Sequence, residues 1–321
     1  MKNMLLKDIL KRKEAGIVFA AVSLFVVFSV TSESFLTAYN IFNISRTLSL
    51  YIFIALGQAM ALVVGGMNLS VGAIGGLATI TAGYCLDVLG LSGWIAVPAA
   101  LLLGVAAGAL NGFFITRVGI NSFVVTLSTL FVFEGLVSGI SKGYSYTKIP
   151  KTFMIIGRKG MLGIPYLLWI ALAVLIVMFY LFRFTVFGRR LLATGGNEDA
   201  ARLSGINTDN IILAANMFSG LFSAIAAVLW VSRMGSAQPS TGQDWLIVSF
   251  AVAIIGGTAL KGGGITMLGL FMGGIIMVLI KNGLVILGAN IYFERTFYGL
   301  IILLAVIVDR VRAVYSVKSK L

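Results

Sequence analysis

Long apolar runs joined by short polar connections dominate this sequence. A run of about 20 apolar residues is long enough to cross a lipid bilayer as an α-helix. The pattern predicts an all-α fold, a polytopic transmembrane helical bundle, with residues 16–312 as its membrane domain. Ten spans are predicted, at approximately 16–30, 48–64, 70–90, 93–116, 122–140, 166–183, 211–231, 246–260, 265–288 and 297–308.

The longest polar interruption within the apolar pattern is the loop at 184–210. Asn197 suits the N-cap of a helix, and Glu198 and Asp199 fit the first turn, where the helix dipole favours negative charge. Gly205 suits a C-terminal stop. The residues between them form helices readily, namely Ala200, Ala201, Arg202 and Leu203. The loop therefore predicts a short helix of about two turns.

The distribution of basic residues indicates the topology. Residues 1–15 place Lys and Arg opposite an apolar side, which is typical of an amphipathic helix on a membrane surface. With the N-terminus inside, 15 of the 24 Lys and Arg residues fall inside and 9 outside. Five of the nine lie in the proline-containing 141–165 loop, which we interpret as a structured external segment. Because basic residues concentrate in the cytoplasm, we predict that both termini, the 313–321 tail and the 184–210 loop are cytoplasmic.

Composition indicates that lipid is the main solvent of the chain. Only 11% of residues are charged, against about 25% in soluble proteins. In a soluble protein the net charge of +13 would suit nucleic acid. Here the Lys and Arg residues lie in tails and loops, where they determine the topology and interact with anionic lipid headgroups. We therefore expect membrane lipid, and no nucleic acid, as a partner.

The sequence lacks the residues that most enzymes and metal sites need. It has no histidine and a single cysteine, Cys85, which excludes His-ligated metals, Ser/His/Asp triads and internal disulfides. It also has no Gly-x-x-x-x-Gly-Lys-Ser/Thr phosphate loop. We predict a non-catalytic subunit that binds no metal or cofactor, so that any ATP and Mg²⁺ are bound by a separate ATPase.

Glycine patterns predict close helix packing and an internal repeat. Small residues four apart let helices approach closely in lipid. The pattern Gly-Gly-x-x-Leu-x-x-Gly begins at Gly65 and again at Gly256, an offset of 191 residues. Paired glycine-interrupted segments are typical of transporters built from two repeats. The glycines assigned to packing are Gly65, Gly66, Gly72, Gly104, Gly108, Gly112, Gly256 and Gly257.

A few polar residues inside the spans are candidates for a substrate pathway. An ionisable residue in a span, such as Glu134, is costly and usually functional, although near the interface it could also reach the headgroups. Hydroxyl groups on one helical face could line a route for a hydroxylated solute, although Ser and Thr also bond to their own backbone. The candidates are Asn68, Ser70, Ser122, Thr126, Thr129 and Glu134, with Asn216, Lys281 and Asn282 as weaker ones.

Four motifs together resemble a known family. They are GGMNLSVGA at 65–73, ATGGNEDAARLSGIN at 193–207, GSAQPSTG at 235–242 and GGTALKGGG at 256–264. In order and spacing they are similar to the ribose-type sugar permeases of bacterial ABC importers, over about residues 35–312. The sequence departs from the family pattern at Asn68, where the family usually has Asp, and at Leu246 and Val248, where it often has acidic residues.

The resemblance implies a permease of the inner membrane that imports a monosaccharide by alternating access. Its expected partners are a cytoplasmic ABC ATPase, a periplasmic or lipid-anchored sugar-binding protein, and a second permease copy in a homodimer or heterodimer. The resemblance also makes the predicted loop helix the coupling helix that docks into the ATPase. Its residues would be Asn197, Glu198, Asp199, Ala200, Arg202, Leu203 and Gly205.

Other functions remain open at this point. A permease for nucleosides, amino acids or other small polar solutes would have a similar layout. An ion-coupled secondary transporter usually has intramembrane carboxylates or histidines, and Glu134 is the one strong candidate here. A membrane scaffold without transport is the third alternative.

Overall fold

The computed structural model describes residues 13–288, together with 293, 296–300 and 303. Most of the predicted surface helix at 1–15, the tail at 313–321 and most of the tenth predicted span lie outside the described residues.

The regular secondary structure of the described residues is helical except for one hairpin of two short strands. Its helices are α1 (Lys13–Thr31), α2 (Ala38–Val63), α3 (Val71–Gly83, continued by a π-helical turn at Tyr84–Val88), α4 (Gly93–Thr116), α5 (Ser122–Ser141), α6 (Lys151–Arg158), α7 (Tyr166–Phe184), α8 (Val186–Gly196), α9 (Glu198–Leu203), α10 (Thr208–Met234), α11 (Trp245–Ile255) and α12 (Met267–Ile286). Within these residues seven helices are long and apolar enough to span a membrane, and Gly16–Thr31 and α11 are shorter apolar helices. The protein is therefore a polytopic membrane helical bundle.

Helix α2 forms the centre of the bundle and contacts α10, α11 and α12. The predicted start at residue 48 was wrong, because the helix begins ten residues earlier, at Ala38. Its polar first turns are stabilised by specific partners. The Thr37 side chain caps the helix by accepting from the Asn40 backbone N–H at 3.3 Å. Asn40 and Asn282 of α12 exchange two amide hydrogen bonds, at 3.1 and 2.7 Å.

Helices α4 and α10 pack with their backbones almost in contact. A Cβ added at Gly104 would meet Gly220 and Ala224 of α10, and one at Gly108 would overlap the Asn216 carbonyl oxygen. A Cβ added at Gly112 would meet Leu213 of α10. The small-residue face of α4 therefore points at α10, as such faces do in membrane helix pairs.

The span predicted at 246–260 is helical only at α11, which has 11 residues. A non-helical segment, 235–244, precedes it and runs along α3. Ala237 lies against Gly83, Thr241 against Gly76 and Gly242 against Gly72. Gly72 and Gly83 are about 16 Å apart along a helix, and α11 adds about 16 Å, so the two halves together match a hydrocarbon core of about 30 Å. The hydrophobic periodicity of the sequence did not reveal the 235–244 half of this span, because turns have no regular hydrophobic period.

A small layer of secondary structure packs over the end of the bundle at which α3 ends. It contains α6 and the antiparallel strands β1 (Gly160–Met161) and β2 (Ile164–Pro165), so the external segment predicted at 141–165 is structured and the all-α description needs this one exception. The Asp87 carboxylate accepts from the backbone N–H groups of Thr147 and Lys148 at 2.8 and 3.0 Å. Tyr146 pairs with Ala237 through two backbone hydrogen bonds. Burial, with Tyr84 and Asp87 nearby, raises the pKa of Tyr146.

Candidate functional site

A chain of neutral side chains is buried at the turn between α2 and α3. Thr129 of α5 donates to Asn111 of α4 at 2.7 Å, and the Asn111 amide donates to Ser70 Oγ at 2.9 Å. Ser70 Oγ donates to Asn68 Oδ1 at 2.7 Å, and Asn68 Nδ2 donates to Ser219 of α10 at 2.8 Å. We call these five residues the buried cluster. It connects four structural elements at one point.

Two further hydrogen bonds hold the turn against α5. The Met67 N–H donates to Ser122 Oγ at 3.3 Å, and the single hydroxyl proton of Thr126 is shared between the Met67 carbonyl at 3.2 Å and the Ser122 carbonyl at 2.7 Å. An unpaired polar group in an apolar interior costs several kcal/mol. Pairing therefore lets these groups be buried at little cost and fixes the turn in one position.

Two cavities lie near the turn, and both border α5. The inner cavity, of about 330 Å³, lies beside α9 and is lined by Gly65–Met67, Asn121, Ser122, Glu198 and Asn216, with apolar residues between them. Its size falls in the range of small-ligand sites.

The outer cavity is smaller, at about 120 Å³, and has room for only a few water molecules. It lies among α3, α5 and the 235–244 segment. Glu134, Ser138, Thr241 and Gln243 supply its polar side chains. Non-helical backbone at membrane depth is tolerated where it is buried in protein or lines a cavity, and the 235–244 segment lines this cavity with four of its residues.

The predicted pathway residues divide between these three places. Ser122 lines the inner cavity and Glu134 lines the outer one. The structure buries the remaining four with paired side chains at or beside the turn, namely Asn68, Ser70, Thr126 and Thr129. Sequence reasoning missed Asn111, Ser219 and Gln243. Asn111 had a usable signal, because it is an amide inside an apolar span directly beside the glycine face of α4.

Helix α9 confirms the short helix predicted in the polar loop. The Asn197 side chain accepts from the Ala200 N–H at 2.9 Å, the helix ends at Leu203, and Gly205 has a left-handed φ of 81°. The loop also contains α8, which the sequence interpretation missed. Its N-cap is Thr185, whose hydroxyl accepts from the Gly188 N–H at 3.1 Å.

Charged groups connect α9 to its neighbours. Arg202 pairs with Glu198 at 3.1 Å and with Asp209 of α10 at 3.2 Å, and Asp209 also lies 3.8 Å from Arg117 at the end of α4. We call these four residues the ionic cluster. All four side chains are substantially exposed to solvent. Exposed ion pairs stabilise a fold by about 0–1 kcal/mol each, so this cluster orients α9 more than it stabilises the bundle.

Comparison with known proteins identifies the family. The profile of the family described as branched-chain amino acid transport system, permease component, matches residues 40–306. The chain belongs to this family. No solved structure matches the chain significantly.

Several similar permeases carry names that refer to sugars. The ribose import permease RbsC of Escherichia coli K12 is 32% identical over 90% of this chain and 91% of its own length. The L-arabinose permease AraH of the same organism is 34% identical over 95% and 90%. The D-allose permease AlsC is 33% identical over 88% and 86%. Permeases of this family are non-catalytic subunits, and in the described residues no group of three or more His, Cys, Asp or Glu side chains could hold a metal.

In this permease the end of α8 is wedged between the two glycine repeats. The Gly263 N–H donates to the Val63 carbonyl at 2.9 Å. A Cβ at Gly195 would overlap that carbonyl, and one at Gly262 would meet the Gly195 carbonyl oxygen and the Gly65 nitrogen. The backbone leading into α9 therefore contacts the turns that end α2 and follow α11.

Proposed function

We propose that this chain is the membrane permease subunit of a binding-protein-dependent ABC importer that moves a neutral monosaccharide into the cytoplasm. The observation that carries the proposal is the family match together with similarity to sugar permeases over about nine-tenths of the chain. The chain would place ten spans in a bacterial inner membrane, with both termini and α9 on the cytoplasmic side.

The cavity linings favour a neutral sugar over an amino acid. A branched-chain amino acid carries a carboxylate that needs a cation when it is desolvated. The residues lining the two cavities include Glu134 and Glu198 but no Lys or Arg. Amides, hydroxyls and carboxylates hydrogen-bond well to the hydroxyl groups of a sugar. Import of a branched-chain amino acid is the second candidate, because the family description names that substrate.

Helix α9 supplies the surface for the ATPase. The docking residues would be Asn197, Glu198, Asp199, Ala200, Arg202, Leu203 and Gly205. Leu203 is 90% exposed, so an apolar side chain at the end of this charged helix is available to a protein partner. ATP and Mg²⁺ would bind to that partner, and movement of α9 would reach both repeats through the backbone contacts at Gly195.

A second permease copy completes the route. In the described residues, α5 packs mainly against α3 and α4, and its opposite face exposes Phe131, Val132 and Leu136. That face also exposes Gly135 and Gly139, beside which no atom lies within 4 Å of a built Cβ. Small residues at i and i+4 allow a close helix contact in lipid. The outer cavity and Glu134 would then lie beside the contact between the two copies.

The proposal is tested by reconstitution with the cognate ATPase and binding protein in liposomes. Uptake of labelled D-ribose, L-arabinose, D-allose and L-leucine is measured with and without ATP. ATP-dependent accumulation of at least one sugar, with none of leucine, is expected. Leucine uptake without sugar uptake would assign the amino-acid function instead. Uptake by the permease alone under a sodium or proton gradient would identify a secondary transporter.

A further inference from the structure

The inner cavity shares a residue with the helix that couples to the ATPase. Glu198 is the first residue of α9 and also part of the cavity wall. A substrate route needs a polar wall, but it does not need that wall to be part of the moving helix. Any ligand in this cavity therefore lies against α9 directly.

Two amide side chains of the cavity lining have groups that can bind a ligand. Asn216 is 3% exposed, and its amide donates to the Ile212 carbonyl at 2.9 Å, which leaves Oδ1 without a partner among the described residues. Asn121 accepts from the Phe123 N–H through Oδ1 at 2.9 Å, so its Nδ2 is available as a donor. One acceptor and one donor among the lining residues suit a hydroxylated solute, whose hydroxyl groups both donate and accept.

The carboxylate of Glu198 has one oxygen engaged and one available. Oε1 accepts from Arg202 at 3.1 Å and from Thr208 Oγ1 at 3.1 Å, which ties the start of α9 to the start of α10. Oε2 has no hydrogen-bond partner among the described residues. A hydroxyl group donating to Oε2 would add a charge-assisted hydrogen bond, which is stronger than a neutral one.

We propose that the inner cavity binds the transported sugar from the cytoplasm and that this sugar inhibits the importer. The sugar is held between Asn216 and Glu198, where it restrains α9 and opposes the movement that ATP hydrolysis drives. This inference rests on the proposed function, because it assumes that the cargo is a sugar and that α9 moves during transport. Its result is an importer that slows as its product accumulates.

The test uses the complete importer in liposomes, in those complexes whose α9 side faces the outer buffer. The lumen contains binding protein loaded with the sugar that the importer takes up. ATP hydrolysis is started with external ATP while the same sugar is titrated outside, and its mirror-image sugar controls for osmotic effects. External sugar is expected to lower the hydrolysis rate several-fold, and the mirror image is expected to leave it unchanged.

Substitutions at the cavity assign the effect to this site. Asn216→Ala removes the unpaired acceptor, so the sugar concentration for half inhibition should rise roughly 2- to 10-fold, as expected for one lost hydrogen bond. Thr116→Val is the matched control, because the Thr116 hydroxyl bonds to its own helix at 2.8 Å and does not line the cavity. Each variant is compared with itself, with and without external sugar.

The outcomes separate the two proposals. Active transport with no inhibition by external sugar overturns this inference and leaves the proposed function standing. If external sugar inhibits Asn216→Ala and Thr116→Val equally strongly, the inhibitory site lies elsewhere, and the inference is also overturned. Failure of every loaded binding protein to stimulate hydrolysis would overturn the proposed function and this inference together.

Discussion

The two polar clusters of this permease, one at the turn between α2 and α3 and one around α9, differ in both charge and burial. The buried cluster contains only neutral amides and hydroxyls, fully inside the bundle and joined in one hydrogen-bonded chain. The ionic cluster contains only charged groups and is exposed. Neutral groups can be buried at low cost when they are paired, whereas charges are inexpensive only near water. The first cluster should therefore control stability, and the second should control transport.

The largest effect on folding is expected at the contact between α4 and α10, because both clusters join residues of these two helices. Gly108→Leu would force a side chain into the backbone of α10 at Asn216. We expect loss of a monodisperse species in size-exclusion chromatography of the detergent-purified protein. Leu102→Phe on the same helix is the control, because the Leu102 side chain is 69% exposed, and its folded yield should stay near that of the wild type. Equal yields for the two variants would contradict the close packing.

The second effect concerns the middle of the buried cluster. Asn111→Leu has a similar size but removes the acceptor of the Thr129 hydroxyl and the amide that donates to Ser70 Oγ, and the loss of these buried hydrogen bonds should cost about 1–3 kcal/mol. The thermal unfolding midpoint, followed by scanning fluorimetry in detergent, should fall by several degrees. Ser128→Ala, which removes an exposed hydroxyl bonded to its own helix, should leave the midpoint almost unchanged. An unchanged midpoint in Asn111→Leu would mean that the buried chain contributes little to stability.

A smaller and local effect is expected at the cap of α9. Asn197→Ala removes the side chain that accepts from the Ala200 N–H, which costs about 1 kcal/mol of helix stability. Hydrogen exchange in residues 198–203 should become several-fold faster, while exchange in α4 and α10 stays at its wild-type rate. Faster exchange throughout the bundle would show that α9 is more deeply integrated than its exposure indicates.

The smallest effect on stability is expected in the ionic cluster. Glu198→Arg or Arg202→Glu should change the unfolding midpoint very little, because exposed pairs contribute about 0–1 kcal/mol. In the reconstituted importer the same variants should hydrolyse ATP without matching sugar uptake. The double exchange of the two residues restores the pair and should recover part of the coupling. If both single variants couple ATP hydrolysis to sugar uptake as the wild type does, α9 has no role in the coupling.

The sequence predicted the parts of the fold that have a regular hydrophobic pattern or local capping residues. Apolar runs identified the long helices, and the cap and stop residues of α9 specified its ends, because Asn197 and Gly205 act through local backbone bonds. The 235–244 segment could not be found in this way, since its position depends on glycines of α3 that are about 165 residues away in the chain. Asn68 and Ser70 were recognised as unusual polar residues, but their partners Asn111 and Ser219 come from other helices and emerge only in three dimensions.

The interrupted span before α12 has a consequence for biosynthesis. Helix α11 alone, at 11 residues, is too short to partition into a bilayer as an independent segment, and the turns at 239–244 would leave backbone groups unpaired in lipid. The segment can settle only against α3, whose glycines accept it. Residues 235–255 therefore enter the membrane only after α3 is in place, whereas α12, with 20 residues, is long enough to insert independently.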